Sequence, residues 1–142
     1  MANLSKSKYI TYCQCPKALW LKQYKPEEMV IDPLTQARFD AGTEVGELAK
    51  RLFGDFVEAT TYKTAADGTQ RLDLGAMAAA TQKALAEGAE NIAEAAFIYD
   101  GCYCAVDLLH KTPHGYAIYE VKSSTDLKEL EVYAQDVAYQ KY

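Results

Sequence analysis

The sequence predicts one mixed α/β (α+β) domain, in which helices flank a three-stranded antiparallel meander extended by a further strand. Three helix-like segments come first, three consecutive strand-like segments follow, and a last helix-like segment closes the chain of 142 residues. Hydrophobic residues make up 49% and charged residues 25%, the balance of an ordinary globular domain. Because the sequence contains no repeats, low-complexity tracts or linkers, we expect a single domain over residues 1–142.

The N-terminal half is predicted to be mostly helical. The stretch LSKSKYITYCQCPKALWLKQY begins with a polar turn that Ser5 or Ser7 can cap, and Pro16 suits the first turn of its apolar part. The stretch LTQARFDAGTEVGELAKRLF has an apolar side and predicts the next helix. Gly42 and Gly46 lie four residues apart in it, which lowers helix stability unless another group must approach closely there.

Strand signals dominate the second half. DFVEATTYK predicts a short strand before the turn-rich AADGTQ, and DLGAMAAATQKALAEGA predicts a helix that ends at Gly88. NIAEAAFIYD turns at Asp100-Gly101, a typical hairpin pair, CYCAVDLLHK turns through TPHG, and YAIYEVKSST is the third strand. Asp126 can cap the last helix, which still runs at Tyr142, so we expect the domain to be incomplete at its C-terminus.

Charge and hydropathy narrow the function classes. The net charge of −5 argues against a broadly cationic, non-specific DNA binder, although a nuclease can meet phosphates through a divalent metal. The first 25 residues hold no acidic residue and form a local cationic patch with Lys6, Lys8, Lys17, Lys22 and Lys25. The sequence has neither a run of about 18 apolar residues nor a signal peptide, so we expect a cytoplasmic protein without a membrane partner.

Four cysteines form two Cys-x-Cys pairs, Cys13 with Cys15 and Cys102 with Cys104. Together they could form a tetrahedral thiolate metal site, although the spacing within each pair is narrower than usual. Along the second meander strand, Cys102 and Cys104 share a face, and their parity is opposite to that of Asp107. We therefore interpret them as small core-facing side chains, with a thiolate metal protein as an alternative.

Two acidic residues and a lysine are predicted to meet on the meander. A loop centred near Pro113 pairs Asp107 with Glu120 on the next strand, about 5 Å away, and Lys122 shares the face of Glu120. Two carboxylates this close repel each other unless a cation lies between them, and their oxygens suit Mg²⁺ or Mn²⁺. A weak surface salt bridge is the alternative interpretation of the same three residues.

The spacing of these residues resembles the D…E-x-K motif of the PD-(D/E)XK nuclease superfamily. Gln135 and Tyr139 in the last helix resemble the Q-x-x-x-Y signature of its RecB-type members, and Glu94 matches an additional acidic position on the first meander strand. The stretch AGTEVGELA resembles the family's G-x-x-V-H-E helix, with Gly46 where the family often has a metal-binding histidine. The adjacent Glu47 is a candidate substitute.

The N-terminal stretch resembles a narrower branch, the CRISPR-adaptation exonucleases and their uncharacterised bacterial relatives. In that branch a Cys-Pro at the position of Cys15-Pro16 supplies one ligand of a [4Fe–4S] cluster, and three cysteines near the C-terminus supply the others. The chain ends before such cysteines. The resemblance therefore implies that Cys15 ligates a cluster only in a longer protein, with further domains or protein partners beyond Tyr142.

The resemblance implies a restriction-endonuclease-like core and a Mg²⁺- or Mn²⁺-dependent DNA nuclease, more often an exonuclease, acting in repair, recombination or defence. The implied metal ligands are Asp107, Glu120, the carbonyl of Val121, Glu94 and Glu47. Lys122 would position the attacking water, while Gln135 and Tyr139 would order the site or the DNA backbone. The implied nucleic-acid contacts, to single strands or duplex ends, are Lys6, Lys8, Lys17 and Lys22. A nuclease-like module without activity, serving binding or assembly, is the alternative.

Overall fold

The computed structural model describes residues 4–124 and 130–142, and within them the chain is mixed α/β with five α-helices. The helices are α1 (Lys6–Gln14), α2 (Pro16–Tyr24), α3 (Pro33–Ala49), α4 (Leu74–Ala86) and α5 (Leu130–Lys141), with a 3₁₀ turn at Pro26–Glu28. The strands are β1 (Leu4–Ser5), β2 (Val57–Glu58), β3 (Tyr62–Thr64), β4 (Gln70–Leu72), β5 (Asn91–Tyr99), β6 (Cys102–Thr112) and β7 (Gly115–Tyr119). The prediction of a mixed α/β domain is therefore confirmed at this level.

Strands β5, β6 and β7 form the predicted antiparallel meander. Asp100 and Gly101 connect the first two with φ angles of 45° and 75°, the left-handed pair that a tight hairpin requires. The second hairpin turns between Thr112 and Gly115, which places its centre beside Pro113 as the sequence predicts. Turn chemistry is local, and this is why both hairpins could be read from the sequence.

The sheet is mixed because two short strands join the meander in parallel. The further strand predicted within DFVEATTYK is β2, which pairs with β5. The N-terminal β1 pairs with the start of β6, and this contact was not predicted because two residues carry no strand pattern. A separate hairpin of β3 and β4 lies outside this sheet. Strand β4 begins at Gln70, the last residue of the stretch AADGTQ, for which the sequence predicted only a turn.

The first predicted helix is interrupted at Cys15. Ser5 caps α1 by accepting a hydrogen bond from the Lys8 N–H, and Pro16 begins α2, as the sequence predicts. However, Cys15 adopts an extended conformation with φ −162° and ψ 108°. The residue before a proline is disfavoured in the helical region, which explains why the helix breaks into two at this point. The predicted cap of α5, Asp126, lies outside the described residues.

The core lies between α4 and the meander. Met77, Thr81 and Ala84 are the buried side of α4, and they pack against small and branched residues such as Ile92 and Val106 on β5 and β6. Small residues along β5, mostly alanines, let the helix approach the sheet closely. In contrast, α1, α2 and α3 contribute no fully buried side chain within residues 4–124, and α1 instead packs against α5.

No helix in the described ranges is both long and apolar enough to cross a lipid bilayer.

Thr81 ties the helix to the sheet and provides a test of this packing. Strand β2 covers β5 only at Ile92 and Ala93, and further along β5 the Ala96 N–H donates to the buried Thr81 Oγ1 at 2.8 Å. We expect Thr81→Val to lower the free energy of unfolding by about 1–3 kcal/mol, because it leaves a buried N–H without a partner. Urea unfolding measures this loss. Thr81→Ser keeps the hydroxyl and should lose less, and equal losses in the two variants would contradict the role of the hydrogen bond.

Candidate functional site

The third meander strand ends at the predicted acidic pair. The last ladder pair joins Leu108 to Tyr119, so the register places Asp107 opposite Glu120, as predicted. The prediction that the strand continues through Glu120 and Lys122 is wrong, because β7 ends at Tyr119. Asp107 Oδ2 accepts a hydrogen bond from the Val121 N–H at 2.7 Å. The Asp107 side chain thus accepts from the Val121 N–H, which would otherwise bond to the β6 backbone, and β7 ends before this point.

Glu94 lies on the other side of Asp107. It is the one position of β5, from Asn91 to Tyr99, without a ladder partner on β6, and the register places it opposite Asp107. Its φ of 54° is in the left-handed region, which is strained for a residue with a side chain and is often found at functional sites. Burial, followed by the neighbouring charge of Asp107, raises the pKa of Glu94, while Lys50 and Lys6 act in the opposite direction.

An open cavity of about 480 Å³ lies over these two carboxylates. One wall is α3, through Arg38, Gly42, Gly46, Glu47 and Lys50, and the other contains Glu94, Asp107 and Val121. The two helical glycines noted in the sequence both face this space. A Cβ at Gly46 would meet nothing within 4 Å, so the cavity has room for a side chain there.

Glu47 is held at the edge of the cavity. Lys50 Nζ lies 2.7 Å from its Oε1 and 2.8 Å from Oε2 of Glu58. Although burial alone would lower the pKa of Lys50, its bonds to Glu47 and Glu58 raise it, so this lysine stays charged at neutral pH. The Glu47 side chain is 65% exposed, lines the cavity and pairs with Lys50.

Beside the cavity, five side chains form a compact ion cluster: Lys6, Glu120, Lys122, Asp136 and Gln140. Lys6 Nζ lies 2.9 Å from Glu120 Oε2 and 3.3 Å from Asp136 Oδ1. Lys122 Nζ lies 2.8 Å from Asp136 Oδ2 and also contacts Glu120. Gln140 Nε2 donates to both acids, at 2.6 Å and 3.0 Å. Each of the three donors therefore bridges the same two carboxylates.

The ion cluster is largely withdrawn from water. The side chains of Glu120 and Asp136 are 7% and 9% exposed. Burial would lower the pKa of Lys122, but its hydrogen bonds to Asp136 and Glu120 outweigh this and raise it. Burial would likewise raise the pKa of Asp136, yet Lys122 and Lys6 lower it. Asp136 thus stays ionised and Lys122 stays protonated at neutral pH.

The last helix contributes two residues to the ion cluster, Asp136 and Gln140, that were not predicted from the sequence. The predicted site residue Tyr139 instead donates its hydroxyl to the Leu4 carbonyl at 2.9 Å and stacks on Tyr9. Gln135 is half-buried and takes part in none of the hydrogen bonds described for the cluster. The stretch QDVAYQ contains two i, i+4 polar pairs, one residue apart, and the contacts of α5 with Lys6, Glu120 and Lys122 decide which of them faces the site.

The predicted nucleic-acid contacts separate into two groups. Lys6 is turned inward, with its side chain 19% exposed, and its charge is used by Glu120 and Asp136. Lys17 and Lys22 are exposed on α2, and Lys8 is half-buried on α1. The structure therefore removes Lys6 from the cationic surface that the sequence indicated.

The two Cys-x-Cys pairs do not assemble a thiolate site in the structure. Cys13 and Cys15 are exposed, whereas Cys104 is buried and Cys102 is half-buried. Cys102 and Cys104 line a small cavity with Tyr139 of α5, on the core side as their parity predicts. Burial raises the pKa of the Cys104 thiol, which disfavours the thiolate that a metal would need.

The fit of a divalent cation can be tested on the donors themselves. Within residues 4–124 and 130–142, no three His, Cys, Asp or Glu side chains are grouped closely enough to hold a metal ion. Mg²⁺ does not require such a group, because it usually binds one or two carboxylates and completes its shell with water and substrate phosphates. Glu94 and Asp107 are two such carboxylates, at positions that the register places opposite each other, and both line the open cavity. The donor chemistry therefore fits the ion.

No protein-family model, curated protein or solved structure matches this chain.

The raised pKa of Glu94 predicts how the stability of the fold depends on pH. Because burial and Asp107 raise this pKa above its ordinary value of 4.5, the protonated form is favoured in the folded chain. That contribution to stability is present below the ordinary value and is lost as the pH rises through the folded pKa. We expect Glu94→Gln to be more stable than the wild type at pH 7.5 in metal-free buffer, with a difference that shrinks towards pH 4.5.

Urea unfolding across this pH range measures the effect. Glu90→Gln, in an exposed position just before β5, is the matched control and should change little at any pH. Parallel pH profiles for Glu94→Gln and the wild type would contradict the repulsion between Glu94 and Asp107.

Proposed function

We propose that the chain is a metal-dependent DNA nuclease of the PD-(D/E)XK type with a restriction-endonuclease-like core. The observation that carries this proposal is the facing pair of Glu94 and Asp107 in an open cavity, with Glu120 opposite Asp107 and Lys122 two residues further along the chain. Strand β6 and the segment that follows β7 thus carry the two carboxylates and the lysine of the motif. By the family resemblance, we further propose an exonuclease that acts in the cytoplasm.

The proposed ion would be held by Asp107 and Glu94, with Glu120 and the Val121 carbonyl as further ligands on the adjoining segment. A bound Mg²⁺ or Mn²⁺ polarises the phosphoryl oxygen and lowers the pKa of a water. The raised pKa of Lys122 means that it acts as a cation and hydrogen-bond donor rather than as a base. It would orient the attacking water and stabilise the negative charge that develops on the phosphate.

The surroundings of the cavity suit a nucleic-acid backbone. Arg38 lines its α3 wall, and Lys8, Lys17 and Lys22 remain on the N-terminal helices, where they can contact phosphates without base specificity. Cys15 is exposed at the junction of α1 and α2, so its sulfur is accessible to a metal cluster.

A second candidate is a nuclease-like module that binds without cutting. The observation that favours it is the engagement of Glu120, whose carboxylate is already bonded to Lys6, Lys122 and Gln140. A carboxylate held in this way cannot ligate a metal until one of its partners leaves. Under this alternative, the ion cluster is purely structural and serves to dock α1 and α5 on the sheet.

Nuclease activity separates the two candidates. We expect the purified chain to degrade DNA in the presence of Mn²⁺, and Lys122→Ala to lower the rate about 100-fold, the typical effect of removing one transition-state donor. Asp107→Asn should lower it at least as much, because it removes a proposed ligand. Single- and double-stranded fluorescent substrates, with and without chelator, measure these rates.

Asp67→Asn is the matched control, because Asp67 lies in the β3–β4 hairpin with Thr69 and Arg71 as its partners. It should leave the rate unchanged. Equal rates in the wild type, Lys122→Ala and Asp107→Asn would show that any activity comes from elsewhere. The absence of cleavage by the wild type under all these conditions would favour the binding module.

The space at Gly46 allows a gain-of-function test of the same cavity. Gly46→His introduces the ligand that the family often has, at a position where a Cβ meets nothing within 4 Å. We expect it to tighten Mn²⁺ binding about tenfold or more, as measured by calorimetry, because a further ligand joins Asp107 and Glu94. Gly75→His, at the start of α4 beside its Asp73 cap, is the control and should have no effect on affinity. Unchanged affinity in Gly46→His would contradict a metal site in this cavity.

A further inference from the structure

Lys6 contacts the acid that the proposed function assigns to the metal. It is the first residue of α1, and Ser5 caps this helix directly before it. Its Nζ lies 3.2 Å and 2.9 Å from the two oxygens of Glu120. Burial alone would lower the pKa of Lys6, but Glu120, Asp136 and Asp107 together raise it. The ammonium group of Lys6 thus contacts both oxygens of the Glu120 carboxylate.

The carboxylate of Glu120 has no free coordination position in this arrangement. Its Oε1 accepts from Lys6 and Lys122, and its Oε2 accepts from Lys6 and Gln140. A carboxylate offers about four lone-pair positions, so these four contacts fill it. A divalent ion can therefore bind Glu120 only if one of these donors withdraws.

Of the three donors in the ion cluster, Lys6 makes the longest contacts. Lys122 and Gln140 each bridge Glu120 and Asp136, so both acids keep two donors when Lys6 leaves. The contacts of Lys6 to Glu120 are also longer than that of Gln140. Withdrawing a positive charge from a group of carboxylates raises the attraction of the site for a divalent cation.

We propose that Lys6 and a divalent cation compete for Glu120, so that Lys6 sets the metal concentration at which the site is filled. This inference rests on the proposed nuclease function and adds a regulatory group from the N-terminal helix. In the metal-free protein Lys6 neutralises Glu120 and fixes α1 against the end of the sheet. When the ion binds, Lys6 leaves Glu120, while Asp136 keeps Lys122 in place beside the site.

Direct binding of Mn²⁺ to the full chain, measured by calorimetry, tests this competition without an activity assay. We expect Lys6→Met to bind Mn²⁺ about tenfold more tightly than the wild type, because no cation has to be displaced. Lys83→Met, at an exposed position of α4 where Lys83 pairs with Glu87, removes the same charge without a contact to Glu120 and should leave the affinity unchanged. Circular dichroism shows whether each variant is folded.

A second measurement needs no variant with an altered fold. Lysine side chains labelled by ¹³C reductive methylation give separate signals, which Lys6→Met assigns for Lys6. We expect Mg²⁺ to move the Lys6 signal towards that of an exposed lysine. Equal Mn²⁺ affinity in the wild type and Lys6→Met, with an unmoved Lys6 signal, would overturn the competition while leaving the proposed function intact. If neither protein bound Mn²⁺, both would be overturned.

Discussion

The carboxylates of Glu120 and Asp136 are nearly withdrawn from water, and the remainder of the site depends on how their charge is compensated. Removing an ionised acid from water costs several kcal/mol unless cations and hydrogen bonds replace the solvent. Lys6, Lys122 and Gln140 supply these contacts from the N-terminal helix, the end of the sheet and the last helix. The need to compensate these two buried charges thus holds together segments that lie more than a hundred residues apart in sequence. Packing of α1 against α5 accompanies these contacts through the stacked rings of Tyr9 and Tyr139, although no α1 side chain is fully buried.

The second acidic pair is compensated differently. Glu94 and Asp107 lie in an open cavity, and the one hydrogen bond described for them joins Asp107 to the Val121 backbone. Burial and the neighbouring charge of Asp107 raise the pKa of Glu94, and no direct ion pair is described for either acid. One pair of acids is therefore saturated with donors and the neighbouring pair is not. A metal ion that binds first to Glu94 and Asp107, and then to Glu120, would require this contrast.

Local signals account for the features that the sequence predicted. The two hairpins follow from Asp100-Gly101 and the turn at Pro113, and once these are set the register of Asp107 and Glu120 follows. The parts that the sequence missed depend on distant segments. The pairing of β1 with β6 and the choice of Asp136 over Gln135 both require knowing where Lys6 lies. The end of β7 at Tyr119 depends on the side chain of Asp107, which a strand pattern does not reveal.

Anomalous diffraction at the manganese edge, from crystals of the full chain grown with Mn²⁺, tests the account most directly. We expect one strong peak in the cavity beside α3, about 2.1 Å from carboxylate oxygens of Asp107 and Glu94, with Lys6 withdrawn from Glu120. A peak at the cysteines instead, or no peak in this cavity at saturating Mn²⁺ with Lys6 still bonded to Glu120, would contradict a metal-dependent nuclease centre at this end of the sheet.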